Sequence, residues 1–189
     1  MSEDPPFFDD ALRDAERVLT ERVGSPIEIK VEVTLDRPLI GEIMRIEESA
    51  FREELRYSLW ELIDRGRRDG FALITIREGR ELVAFFFGYA DPEYVGGFYG
   101  DTMASTSEGR GVGSLLFTLA NIYAFEGGYT HFSCNCEERD EKGRRLRDWY
   151  VRAGMEYIGT DPKEGDLMRV ALTSEHLTWM YKRFILDEK

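Results

Sequence analysis

The sequence predicts an α/β fold: a mixed, mostly antiparallel central sheet flanked by helices, with extra helices at the N- and C-terminal ends. Three observations predict it. Short apolar stretches, some alternating and some continuous, are bounded by turn residues, as in half-exposed and buried strands. Between them, apolar residues recur at three- and four-residue spacing, as on one face of a helix. Near the middle, a strand-like stretch passes through the glycines of Glu108-Gly109-Arg110-Gly111-Val112-Gly113 into a helix-like one. The 189 residues hold no internal repeat, low-complexity tract or linker, so they read as one domain, 1–189, with a core at about 27–172.

Taken in order, residues 7–22 place Phe8, Ala11, Leu12, Ala15, Val18 and Leu19 on one helical face, with Gly24 at the exit. Residues 27–33 alternate Ile27, Ile29, Val31 and Val33 with charged neighbours, which predicts a strand. Asp36 or Thr34 caps a helix with Pro38 in its first turn and Leu39, Ile40, Ile43, Met44 and Ile46 on its apolar face. A second helix is expected over 53–68, carrying Leu55, Leu59, Leu62 and Ile63. Runs 71–76 and 82–89 flank a short link containing Gly79, which predicts a hairpin, and 95–102 adds a third antiparallel strand. Residues 112–126 then form a helix and 129–136 a strand, which a strand–helix crossover places parallel to the strand entering the glycines. A charged helix is expected over 140–153, a hairpin over 155–159 and 167–172, and a terminal helix over 174–185.

Composition narrows the function classes. A net charge of −12 argues against general nucleic-acid binding, which needs basic surface, and is compatible with cationic substrates. No apolar run is long enough to span a membrane, and the acidic start lacks the order of a signal peptide. With only Cys134 and Cys136, a disulfide framework is not expected, and a cytoplasmic location is. The two cysteines share a strand face, but the chain's only histidines, His131 and His176, offer no second ligand pair, so buried thiols rather than a metal site are expected.

Alternating glycines at a strand-to-helix junction bring backbone N–H groups close to a ligand, and the helix start adds unpaired donors and partial positive charge. That is the chemistry of an anion site. A Rossmann loop would need glycine at position 114, which is Ser114, and a Walker loop needs a Gly-Lys-Ser/Thr run that is absent.

The element order and two motifs resemble the GNAT N-acetyltransferase superfamily. Residues 108–113 look like its acetyl-CoA pyrophosphate loop, Gln/Arg-x-x-Gly-x-Gly/Ala, with Glu108 in the first place. Trp149-Tyr150-Val151-Arg152-Ala153-Gly154-Met155 looks like its later Leu-Tyr-x-x-x-Gly-Phe segment, with Met155 for Phe. Gly143 stands where an Asn is usual. The resemblance covers about 27–172 and implies transfer of an acetyl group from acetyl-CoA, as co-substrate and without a metal, to a primary amine of a peptide, a protein or a small molecule. The other reading is a catalytically silent acyl-CoA-binding or partner-binding module on the same fold.

By the same resemblance, Gly109, Arg110, Gly111, Val112, Gly113 and Ser114 hold the coenzyme's phosphates. The strand at Met103 and Ala104 pairs with its pantetheine, with an N–H near Met103 facing the thioester oxygen. Tyr150 is the general acid for the departing thiolate. Asp101, at the end of the central strand, and Glu137 and Glu138, after the parallel strand, are the candidates for a general base. The basic residues Arg139, Lys142, Arg144, Arg145 and Arg147 offer a contact for the coenzyme's 3′-phosphate or, being interleaved with acids, a self-paired solvent face. The terminal helices are compatible with a homodimer and equally with covering the domain's own sheet.

Overall fold

A computed structural model describes residues 5–106, 109–140 and 143–188. In chain order it contains α1 (Phe8–Val23), β1 (Ile27–Glu32), α2 (Arg37–Ala50), α3 (Leu59–Arg65), β2 (Ala72–Glu78), β3 (Glu81–Ala90), β4 (Gly97–Ser105), α4 (Val112–Glu126), β5 (His131–Cys136), α5 (Leu146–Arg152), β6 (Glu156–Asp161), β7 (Gly165–Ala171) and α6 (Ser174–Met180). The strands form one sheet in the order β1-β2-β3-β4-β5-β7-β6. Neighbours are antiparallel except β4 and β5, which run parallel because α4 carries the chain back between them.

Alternation along the strands divides the side chains between two layers. On one face, Phe86, Phe98 and Phe132 pack with Leu115, Leu119 and Ile122 of α4. On the other, Leu73, Phe85 and Phe87 pack with Ile40 and Ile43 of α2 and Leu62 of α3. Each such side chain contributes about 1.5–3 kcal/mol on burial. The terminal helices join the first layer. Ala11, Ala15 and Leu19 of α1, four residues apart, are sealed, as are Leu177 and Met180 of α6. Their apolar faces thus cover the chain's own core.

Two helices are shorter than the spacing predicts. Within 53–68, only a single 3₁₀ turn (Glu53–Leu55) precedes α3. Arg52 and Arg56 are extended, and Arg56 Nε donates to the Phe51 carbonyl at 2.8 Å, which fixes the turn. Ser58 then starts a new helix through a capping box with Glu61. Within 140–153, helix begins only at Leu146. The Asp140 carboxylate accepts from the Arg144 N–H at 2.8 Å, and Arg139 bridges Arg145, so local bonds compete with the helical ones. The terminal helix changes pitch, with α6 passing into a π turn (Tyr181–Ile185). The third antiparallel strand also lies later than expected, ending at Ser105 rather than 102.

The register of β3 on β4 shifts between Phe87 and Gly88: Phe87 faces Thr102 and Gly88 faces Gly100. Asp101 is the extra residue, so the bulge turns both Asp101 and Thr102 to the α2 side. Gly88 makes room for it. A Cβ there would sit 2.5 Å from the Tyr99 carbonyl oxygen and 2.6 Å from the Phe98 ring. We therefore expect Gly88→Ala to cost about 1–3 kcal/mol, the range for overpacking a rigid core. Urea denaturation checks this, and an unchanged midpoint would contradict it.

Candidate active site

The pairing of β4 with β5 runs from Gly97↔His131 to Gly100↔Cys134 and ends there. Beyond it, Asp101–Ser105 continue along β3 alone and Asn135–Cys136 along β7 alone, which makes a wedge in the middle of the sheet. The Thr106 N–H donates to the Val83 carbonyl of β3 at 2.9 Å. Strand alternation then turns the Ala104 N–H to β3 as well and the Met103 N–H into the wedge. The Ala104 side chain is buried among Phe85 and Phe87, whereas that of Met103 packs on the α4 side.

The glycine stretch opens onto the same wedge. Gly109 and Gly111 have φ of +76° and +75°, and Gly111 is the N-cap of α4 in the left-handed conformation that glycine adopts without strain. The first N–H to find an intrahelical carbonyl is that of Leu115, bonded to Gly111 at 3.1 Å, so the amides of Val112, Gly113 and Ser114 are the free donors of the helix start. A Cβ on Gly113 would lie 3.8 Å from Met103 Cε, which places the helix start against β4. Arg22, from the last turn of α1, approaches from outside: its Nη1 is 3.5 Å from the Arg110 carbonyl, and its Nη2 is 3.4 Å from Asp187. Glu108 lies outside the described residues.

Tyr150, on α5, reaches the wedge from the α4 side. Its ring meets Phe117 and Trp149 edge to face, at centroid distances of 5.7 and 4.8 Å. Its hydroxyl lies beside the thiol of Cys134, which ends the paired register and whose Sγ is 3.9 Å from Met155 Sδ. Burial, followed by Cys134 and Cys136, holds the phenol well above its ordinary pKa, so it keeps its proton throughout the physiological range. Burial likewise raises both thiols, Cys136 to about 11, so they are neutral. Among the described residues, no group of three or more His, Cys, Asp or Glu is placed to hold a metal ion.

The opposite side of the wedge is ionic. Asp101, with only 4% of its side chain exposed, accepts from the Tyr57 hydroxyl, from the Tyr89 hydroxyl at 2.5 Å and from Arg65 Nε at 2.8 Å. The Arg65 guanidinium also lies 4.1 Å from the Tyr57 ring centroid. Burial, then the Asp101 charge, pushes both tyrosines upward, which keeps them protonated as donors. Next to this group is Glu47, on the inner face of α2. Its Oε2 accepts from the Tyr57 N–H at 3.0 Å. Burial, opposed by that bond and reinforced by Asp101, pushes its carboxyl up to about 7.

The other expected acids lie at the mouth. Glu137 pairs with Arg52, joining the α2–α3 connection to the end of β5. Glu138 is exposed, and its backbone carbonyl accepts from the Leu146 N–H at 3.1 Å. The basic cluster is largely paired with acids: Arg144 with Asp140, Arg145 with Asp148 at 3.8 Å and Arg147 with Asp166 at 3.3 Å. Arg139 Nη1 donates to the Gly143 carbonyl at 2.7 Å, and Lys142 lies outside the described residues. His131 sits at the closed end of the β4–β5 register, against Tyr94, away from the wedge. Sequence reading missed Arg22, Arg65, Tyr57 and the burial of Glu47. The one available signal was Glu47's place four residues after Ile43, on the apolar stripe of its helix.

The same fold occurs in solved acetyltransferases. A protein assigned to the GNAT acetyltransferase family from Desulfovibrio desulfuricans is 14% identical, with a TM-score of 0.63 over 78% of this chain and 99% of that one. The ribosomal-protein-S18-alanine N-acetyltransferase of Escherichia coli is 10% identical, with a TM-score of 0.60 over 77% and 95%. An aminoglycoside 6′-N-acetyltransferase complexed with coenzyme A is 13% identical, with a TM-score of 0.62 over 77% and 97%. No protein-family model and no curated protein matches the sequence. The chain has the GNAT fold, with its mostly antiparallel seven-stranded sheet flanked by helices. Among the described residues, no helix is long and apolar enough to cross a membrane.

Proposed function

We propose that the protein is an N-acetyltransferase that moves the acetyl group of acetyl-CoA directly to a primary amine. The observation that carries this is the convergence of three groups on one wedge: the glycine-led start of α4, the open edge of β4 at Met103, and the protonated Tyr150 hydroxyl. The amides of residues 112–114 and the cations of Arg22 and Arg110 are suited to the coenzyme's phosphates. An extended pantetheine would pair with β4 as an added strand. The Met103 N–H would face the thioester oxygen, where negative charge develops. Tyr150 would donate its proton to the departing sulfur. The acceptor would enter from the α2–α3 side, where Glu47, Asp101 and the tyrosines favour a cationic amine, whether of a peptide, a protein or a small molecule.

The test is calorimetry with acetyl-CoA together with thiol release on a panel of amines. Micromolar binding and turnover on at least one cationic amine are expected. Gly111→Ala should weaken acetyl-CoA at least tenfold with the fold intact, because a side chain is strained at φ +75° and its Cβ would lie 3.0 Å from Arg22 Nη1. Tight binding without turnover would favour the silent module, and absence of acetyl-CoA binding would refute both readings.

A further inference from the structure

Glu47 is 1% exposed, yet one of its carboxylate oxygens, Oε1, is sealed from solvent with no hydrogen-bond partner. An orphaned buried acid is costly, and nothing in the packing of α2 requires one. Leu39, Ile43 and Ile46 fill the same face with aliphatic side chains. The charged and titratable groups around Glu47 come from three directions: Asp101 of β4, Arg65 and Glu61 of α3, and Tyr57 of the segment between α2 and α3. Asp101 lies two residues before Met103, at the bulge that opens the wedge.

We propose that Glu47 is the general base that takes the proton from the acceptor's ammonium, an inference that rests on the acetyltransferase reading above. Asp101 does not fill this role. Its Oδ1 holds the Tyr57 hydroxyl, and its Oδ2 holds the Tyr89 hydroxyl and Arg65. Both of its oxygens are thus committed to donors of the protein itself. Glu137 and Glu138 stand at the mouth, one paired with Arg52 and the other exposed. The two inner carboxylates therefore divide the work: Asp101 positions Tyr57 and Arg65, while Glu47 exchanges a proton. Its carboxyl, pushed up to about 7, suits that exchange at neutral pH.

The ammonium gives one proton to Glu47, through at most one water. The freed nitrogen pair forms the C–N bond at the thioester carbonyl. The C–S bond then breaks, and its pair leaves on sulfur, which takes the Tyr150 proton. The second proton of the bound nitrogen returns to the Tyr150 oxygen, and Glu47 releases its proton to water. The balance is ammonium plus acetyl-CoA giving amide, free coenzyme thiol and one proton.

The experiment is the pH profile of kcat/KM for wild type, Glu47→Gln and Glu47→Asp on the best cationic amine, with acetyl-CoA affinity measured alongside. Wild type should rise through a limb near pH 7. Glu47→Gln should lose at least about 100-fold at pH 7 and lack that limb, climbing only towards the amine's own pKa, with acetyl-CoA affinity unchanged. Glu47→Asp should keep a carboxylate limb with at least a tenfold lower rate, and it carries the test if the Gln variant does not fold. A Gln or Asp variant with wild-type rate and profile overturns the role of Glu47 while leaving the acetyltransferase intact. Wild type that binds acetyl-CoA but acetylates no amine overturns the acetyltransferase reading itself, and this inference with it.

Discussion

Tyr150→Phe should lower kcat by about 10²–10⁴-fold, the usual contribution of a positioned acid, while leaving acetyl-CoA affinity within a factor of about three. The exchange removes only an oxygen. The ring keeps its edge-to-face contacts with Phe117 and Trp149, so the packing of α5 on α4 survives. Losing the hydroxyl's polar interactions beside Cys134 costs about 1 kcal/mol of stability, too little to unfold the domain. The pH dependence sharpens the test. The phenol is held well above its ordinary value by burial and its sulfur neighbours, so it remains protonated as pH rises to 10. Wild type should therefore show no falling alkaline limb from this group below pH 10. Single-turnover kinetics reads the chemical step directly, and an undiminished rate in the Phe variant would remove Tyr150 from the mechanism.

Glu47→Gln should be more stable than wild type at pH 8 by about 3 kcal/mol and nearly equal to it at pH 4.5. The folded carboxyl titrates at about 7 against 4.5 in the open chain. Between those values the folded chain holds a proton that the unfolded chain has lost, so stability falls as pH rises through this window and levels off above it. About 2.5 units correspond to roughly 3 kcal/mol. Gln carries no charge to desolvate and keeps an oxygen for the Tyr57 N–H. Urea midpoints at the two pH values measure the difference, and parallel pH curves for the two proteins would contradict the raised value. A residue whose replacement stabilises the fold but slows the reaction is what a functional site in tension with stability looks like.

Much of the fold was legible because its signals are local. The alternation in β1, the continuous apolar runs of β2 and β3 and the face of α4 each depend on neighbours within one element. The two overlong helices had helical spacing, but competing local bonds, the Ser58 cap and the Asp140 turn, ended them. In the candidate site, the place of the loop was readable because glycines announce it, and that of Tyr150 because it sits in a recognisable segment. The ionic side was not. Asp101 meets Tyr57 and Arg65 across 44 and 36 residues, and the bulge that aims it belongs to the β3–β4 register. Arg22 reaches the loop across 88 residues. No pattern within a window of one element encodes such contacts.

A seven-stranded open sheet ordinarily has two rims, here β1 and β6. Where β4 and β5 part after Gly100 and Cys134, this sheet gains two more, facing each other inside the molecule. Exposed rims recruit stray strands, and proteins usually blunt them with charge, proline or cover. The inner pair is screened instead by position, between a layer of helices on each side. Hydrogen exchange would read the state of that gap. The Met103 amide should exchange faster than Ala104, its neighbour on the β3 side, and an extended guest lying along β4 should slow it to the pace of the surrounding sheet.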